Sequence, residues 1–345
     1  MPSAADELLA RQRALGRPLR FDEYLDVALY GEHGFYSVVG SAGRRGDFLT
    51  APEVGPLFGA VVARWIDAEF RRLGEPFDFT VTEVGAGPGT LARSILLADP
   101  RWHGRYVAVE RSASQRERHP EGVTSTDRMP ENTTPGVVIG NELLDNIPFR
   151  LAVFDGGWRE AFVRVRDDGG LEEITTPAPD EWRWLPSHAP HGARVPVQTA
   201  AAAIVNAACG VLSTGSVLMF DYCTPVTAAL AAVPWREWLR TYRGHERGEH
   251  YLRSPGAQDV TAQVCLDQLP EPTAVRTQEQ FLRRWGIDDL VDEGRSAWEA
   301  SASSPTLAAL RMRSRVREAE SLLDSSGLGG FHALEWRVPS PTPAQ

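Results

Sequence analysis

The segment "FDFTVTEVGAGPGTLARSILLAD", Phe77 to Asp99, restricts the fold more than any other part of the chain. A β-branched, apolar run ends in Gly85, Gly87 and Gly89, and an amphipathic pattern begins at Thr90. A strand that turns this sharply into a helix needs glycines, because a Cβ would obstruct both the turn and any ligand brought against the backbone. "GRYVAVE" supplies a strand directly after the helix, so residues 77–110 make one strand, helix, strand unit. Such units build parallel sheets through right-handed crossovers. "GVVIG" and "GSVLMFDY" add continuous apolar runs, as expected of strands covered on both faces.

Around this centre the periodicity predicts other elements. Residues 5–30 read as short amphipathic helices, followed by a glycine and aromatic loop that holds Phe35, Tyr36 and Phe48, either as a mobile lid or as core anchors. Val54, Leu57, Phe58, Val61, Trp65, Ile66 and Phe70 recur at helical spacing as far as Leu73. "RLAVFD", "REAFVRVRDD" and "LEEITT", separated by Gly156-Gly157 and Gly169-Gly170, read as an inserted antiparallel meander. A helix over Pro196 to Cys209, helices near Thr277 to Trp285 and Pro305 to Leu323, and a last strand in "FHALEWRV" complete the reading.

The organisation expected is an N-terminal helical and lid region at 1–75, one half of a nucleotide-type domain at 76–150, the meander at 151–195, the remainder with substrate-side loops at 196–338, and a disordered tail at 339–345. A chain of 345 residues with 42% hydrophobic content can bury one large core and a second small lobe.

The formal charge of -10 argues against nucleic acid or an anionic membrane as partner, since both demand clustered positive charge; a cationic substrate suits it better. Cys209, Cys223 and Cys265 are too few and too scattered for a disulfide framework or a thiolate metal site. The N-terminal stretch lacks an apolar signal core, so a cytoplasmic location is the expectation. "HERGEH" places His245 and His250 on different faces of any helix, so no metal is expected there.

The glycine turn implies a cofactor. Glu110 ends the second strand, where a carboxylate can accept hydrogen bonds from a ribose diol. Glu83 precedes the turn, and a negative charge there would repel a dinucleotide pyrophosphate while favouring the sulfonium and ammonium of S-adenosyl-L-methionine. The next strand runs out into Asn141, Glu142 and Asp145. If the chain turns helically, Glu142 and Asp145 share one side, and two carboxylates can grip a planar guanidinium. Helix capping is the competing reading for Asp145. The Asn-Pro-Pro-aromatic tetrad of nucleobase amino-methyltransferases is absent.

"GFYSVVG", "GDFLTAPEVGPLFG", "EVGAGPGTL", "VAVERSASQ", "NELLDNIPF", "FDY" and "YRGHERGEHYLRSPGAQDVTAQV", in this order, resemble the MidA-like family of class I methyltransferases. That family includes the mitochondrial arginine methyltransferase that assists respiratory complex I assembly. The resemblance implies an α/β, Rossmann-like seven-stranded methyltransferase sheet with an N-terminal helical region. It also implies S-adenosyl-L-methionine as cofactor and N-methylation of arginine in a protein or peptide, with a small-molecule methyltransferase or an assembly factor without turnover as alternatives. By the same resemblance Gly85, Ala86, Gly87, Gly89, Thr90 and Asn141 line the cofactor with Glu83 and Glu110, and Asp47, Thr50, Pro52 and Glu53 fold over it. Glu142, Asp145 and His245 are the expected catalytic residues. The chain departs from the family pattern at Ser94, Cys223 and Cys265.

Overall fold

The computed structural model describes residues 3–38, 50–243, 246–301, 304 and 306–340. Two compact units divide the chain: Leu49–Leu143 with Ala207–Asp221 and Pro272–Gln345, and Met1–Phe48 with Leu144–Asn206 and Tyr222–Glu271. The first is termed the sheet unit and the second the insertion unit.

The sheet unit carries seven strands: β1 (Thr80–Val84), β2 (Tyr106–Val109), β3 (Val123–Thr126), β4 (Thr134–Asn141), β5 (Leu212–Asp221), β6 (Ala274–Thr277) and β7 (His332–Val338). Their order is β6-β7-β5-β4-β1-β2-β3. β1 to β5 are parallel where they pair, and β7 runs antiparallel to both β5 and β6. This is the seven-stranded α/β sheet that the resemblance implied, with the parallel strands that the alternation of strand and helix patterns predicted. The order matters because the chain reverses direction across the sheet between β1 and β4, and ligands of open parallel sheets bind beyond the carboxyl ends of the strands at such a point.

Helices Pro56–Arg72, Thr90–Ala98 and Gln278–Arg284 pack on this sheet through Trp65, Ile66, Ile95, Phe281 and Leu282, all buried with Val137, Ile139 and Phe220. The helix expected from Val54 onward is broken at Gly55 into Ala51–Val54 and Pro56–Arg72. Proline at the first helical position has no amide to leave unpaired. A Cβ on Gly55 would stand 2.2 Å from the Glu318 carboxyl carbon, and the Leu57 amide donates to that carboxylate at 2.9 Å. A helix at Ile287–Ala300, which the periodicity did not suggest, joins Leu307–Leu323. It buries only Ile287, Leu290, Val291 and Gly294, and Gly294 lets the second helix approach so closely that a Cβ would lie 2.4 Å from the Met312 carbonyl oxygen.

In the insertion unit the three meander strands are present as Arg150–Phe154, Trp158–Val165 and Leu171–Pro177, and they are joined in one antiparallel sheet by Leu19–Arg20 and Arg194–Val197. The last contains Pro196, which the sequence reading placed in a helix. The strand lies at the sheet edge, where a proline costs least, and the helix starts only at Thr199. Phe21, Tyr24, Phe149, Trp182, Trp238 and Tyr251 form the core of this unit. Phe35 is buried there, and Tyr36 stacks on Tyr30 with ring centroids 5.4 Å apart, so both anchor the core. Phe48 lies outside the described residues. A three-stranded sheet, Glu246–Arg247, Leu239–Arg243 and Asp259–Ala262, and the parallel pair Cys223–Thr224 with Val264–Cys265 also belong to this unit.

Candidate active site

The turn after β1 has the backbone that its glycines predicted. Gly85, Gly87 and Gly89 all have positive φ, at 71°, 52° and 77°. That conformation costs an L-residue roughly 1–2 kcal/mol or more. The Gly85 and Ala86 amides donate to the Val109 carbonyl at 2.9 and 3.1 Å, and the Gly87 amide donates to Glu110 Oε2 at 2.9 Å. The Ser112 amide donates to the other Glu110 oxygen at 2.8 Å. Glu110 therefore clamps the turn from the end of β2, and each oxygen keeps a further lone pair for a ligand hydroxyl. Gln115 and His119 flank the turn from the following segment: His119 Nε2 lies 2.9 Å from the Gly87 carbonyl oxygen, and a Cβ on Gly87 would approach Gln115 Oε1 to 3.3 Å. Neither residue stands out by type or spacing in the sequence, although Gln115 ends the "VAVERSASQ" block.

Glu83 differs from the electrostatic picture drawn from sequence. Its side chain is 4% exposed, and Tyr106 Oη donates to its Oε2 at 2.7 Å. Burial, the main cause, pushes its pKa up to about 8, and the Glu110 charge adds to this, so Glu83 is largely neutral at pH 7. The negative flank of the turn is thus Glu110, and Glu83 ties β1 to β2.

The N-terminal segment reaches the same place in the sheet unit. Thr50 and Pro52 are buried, and Glu53 Oε1 accepts from the Thr90 hydroxyl at 2.7 Å, at the start of the helix that follows the turn. The Ala51 amide donates to Glu142 Oε1 at 3.3 Å, and Asn141 Nδ2 donates to the same oxygen at 3.1 Å. Glu142 itself has φ 49°, and its amide donates to the Phe220 carbonyl at 2.8 Å, extending the β4–β5 ladder by one bond. The segment there is not helical, so the helical spacing argument for Glu142 and Asp145 does not hold; a left-handed residue at a strand end places Glu142. A non-glycine residue with positive φ at such a position is strain of the kind that collects at functional sites.

Asp145 belongs to the insertion unit, in the 3-10 turn Leu144–Asn146. It is buried, and its Oδ2 accepts from Tyr222 Oη at 2.5 Å and from the Thr261 hydroxyl. Asp47 and His245 lie outside the described residues. Of the family departures, Ser94 is buried with its hydroxyl donating to the Thr90 carbonyl at 3.1 Å, and Cys265 is buried with its thiol pushed up to about 12.

The arrangement fits a nucleoside-bearing cofactor. The three positive-φ glycines leave a cradle that side chains would fill, and Glu110 borders it. Asn141 Oδ1 at the end of β4 is buried and accepts no hydrogen bond among the described residues.

A family model described as "putative S-adenosyl-L-methionine-dependent methyltransferase" matches residues 61–282, the greater part of the chain. The chain belongs to this family. The methyltransferase is 30% identical to a protein of Drosophila melanogaster named protein arginine methyltransferase NDUFAF7 homolog, mitochondrial, over 50% of this chain and 47% of that one. The aligned part thus spans about half the length of the fly protein. It is 24% identical to the corresponding mitochondrial protein of Danio rerio over 79% of this chain and 74% of that one. A crystal structure from Burkholderia thailandensis, of a COG1565 superfamily member bound to S-adenosyl-homocysteine, superposes with a TM-score of 0.82 at 26% identity, covering 99% of this chain and 93% of that one.

S-adenosyl-L-methionine is therefore the cofactor, as the glycine turn predicted. The cytoplasmic expectation is overturned, because the relatives are named as mitochondrial proteins. It rested on missing cysteine pairs and a missing signal core, and neither distinguishes one reducing compartment from another. Among the described residues no helix is long and apolar enough to cross a membrane.

Proposed function

We propose that this methyltransferase transfers a methyl group to a side-chain nitrogen of arginine in a protein or peptide. The observation that carries the reading is Glu142, a left-handed residue held at the carboxyl end of β4, next to the strand that bears the cofactor turn. Two amide donors, from Ala51 and Asn141, fix its carboxylate. A carboxylate held this way matches the planar donor fork of a guanidinium, and the strongly negative chain favours a cationic acceptor. The names of the relatives agree with arginine.

S-adenosyl-L-methionine supplies an electrophilic methyl group on a sulfonium. Gly85, Ala86, Gly87, Gly89, Thr90, Glu110 and Asn141 would hold it, with Thr50, Pro52 and Glu53 closing the N-terminal side. With the cofactor bound, the acceptor nitrogen would take its methyl group, leaving S-adenosyl-homocysteine, and would give up one proton, which the Glu142 carboxylate would accept and pass to solvent. Glu142 orients that nitrogen and stabilises the charge left on the guanidinium. Positioning accounts for much of the rate in an in-line displacement of this kind.

Incubation with methyl-labelled S-adenosyl-L-methionine and an extract from cells lacking the protein tests this. Label recovered as methylarginine in polypeptide is expected. Label only on small molecules, or none, overturns the acceptor assignment.

A further inference from the structure

The helix Pro56–Arg72 begins without a capping side chain of its own. The residue before it is Gly55, and Pro56 has no amide, so the Leu57 amide is the first donor that needs a partner. Glu318 supplies one from the helix Leu307–Leu323, 261 residues further along the chain. Its side chain is buried; Oε2 accepts from the Leu57 amide at 2.9 Å and Oε1 from the Ser314 hydroxyl at 2.5 Å. A carboxylate at this end of a helix also suits the helix dipole. It fills the space that a side chain at position 55 would take, which makes glycine necessary there. Gly55 directly follows the one-turn helix Ala51–Val54, from which Glu53 accepts from the Thr90 hydroxyl and the Ala51 amide donates to Glu142. All these residues belong to the sheet unit.

We propose that Glu318 is a positioning residue for cofactor binding: by holding Gly55 and the first turn of Pro56–Arg72, it keeps Ala51–Val54 seated on Thr90 and Glu142. This role rests on the reading above in which Thr50, Pro52 and Glu53 close the N-terminal side of the cofactor. A single helical turn such as Ala51–Val54 does not persist on its own, because its nucleation cost exceeds what one turn returns. It is joined to the long helix by a glycine, the residue with the widest backbone freedom. The body of the long helix is fixed independently of Glu318, since it packs so closely on Thr90–Ala98 that a Cβ on Gly59 would stand 2.3 Å from Ser94 Cβ. Loss of the Glu318 carboxylate therefore acts on the first turn and on the segment before it. Glu53 and the Ala51 amide then meet their partners in only a fraction of the molecules, and the apparent affinity for the cofactor falls by that fraction.

The test is S-adenosyl-homocysteine affinity per folded molecule, measured by calorimetry, beside the urea midpoint of each variant. Glu318→Ala is expected to weaken binding about tenfold, and Glu318→Gln, which keeps an acceptor for the Leu57 amide, to stay within about twofold of the wild type. Gly55→Ala drives a Cβ into the carboxylate and is expected to weaken binding although Glu318 is intact. When Gly55→Ala is combined with Glu318→Ala, the added methyl finds room and restricts the backbone, so binding is expected to be tighter than in Glu318→Ala alone. A merely structural cap would lower the urea midpoint and leave the affinity of the folded molecules unchanged. Unchanged affinity in a folded Glu318→Ala, a Glu318→Gln that binds as weakly as Glu318→Ala, or no recovery in the double variant overturns the proposal. Glu53→Ala separates the two ideas: if it keeps full affinity, the placement of the N-terminal segment at the cofactor fails. If it loses affinity while Glu318→Ala binds like the wild type, only the present inference fails. Should Glu318→Ala not fold, Gly55→Ala decides, and full affinity there overturns the proposal.

Discussion

Replacement of Glu83 by glutamine measures the cost of keeping an acid inside the sheet. The side chain lies between β1 and β2, 4% exposed, bonded by Tyr106 Oη at 2.7 Å and by the Ala92 amide. Glutamine can keep both contacts, with its oxygen accepting from Ala92 and its amide donating to the Tyr106 oxygen. The carboxyl pKa rises from 4.5 in an unfolded chain to about 8 in the folded one. The group therefore stabilises the fold only while protonated: below pH 4.5 both states hold the proton, and between 4.5 and 8 the unfolded chain has released it while the native chain has not. Native stability consequently falls with rising pH across that window and levels off above it. At 1.36 kcal/mol per unit, about 3.5 units amount to roughly 5 kcal/mol. The Glu83→Gln protein lacks this titration, so its stability relative to the wild type should grow by a few kcal/mol between pH 5 and 8. Urea denaturation at pH 5, 6, 7 and 8 reads the difference directly. A gap between the two proteins that stays constant with pH would refute the argument, because it would mean that Glu83 is ionised in the folded state.

Other variants probe the remaining parts. Gly87→Val places a β-branched side chain at φ 52° with its Cβ 3.3 Å from Gln115 Oε1, and S-adenosyl-homocysteine affinity in calorimetry should fall about tenfold or more; unchanged affinity removes the turn from the cofactor site. Glu142→Gln should keep that affinity and lose about a hundredfold or more in turnover, while full activity would remove the guanidinium contact from the mechanism. Phe281→Ala, at a fully buried ring in edge-to-face contact with Phe220 at 5.1 Å, should cost about 3–5 kcal/mol of stability. Its thermal midpoint should drop without a matching change in cofactor affinity per folded molecule.

How much of this molecule could be read in advance depended on whether the information was local. The turn from β1 into its helix was legible because three closely spaced glycines between an apolar run and an amphipathic run have few other uses, and the structure puts all three at positive φ. The parallel strands were legible through their unbroken apolar runs. The helix Ile287–Ala300 was not, because only four of its residues face the core and one of those is a glycine, whose value lies in letting another helix come close. Pro196 was misread for a related reason: an edge strand tolerates proline, and only the sheet order shows that Arg194–Val197 is at the edge.

For the site, sequence determined the residue types: glycines for the backbone, Glu110 at the end of β2, and the acids after β4. Tertiary structure decided their chemical states. Burial makes Glu83 largely neutral, and a left-handed backbone with two donors fixes Glu142. The physical reason is that a side chain's identity is local, whereas its charge depends on the solvent removed from it and on the dipoles and charges brought beside it, and folding sets both.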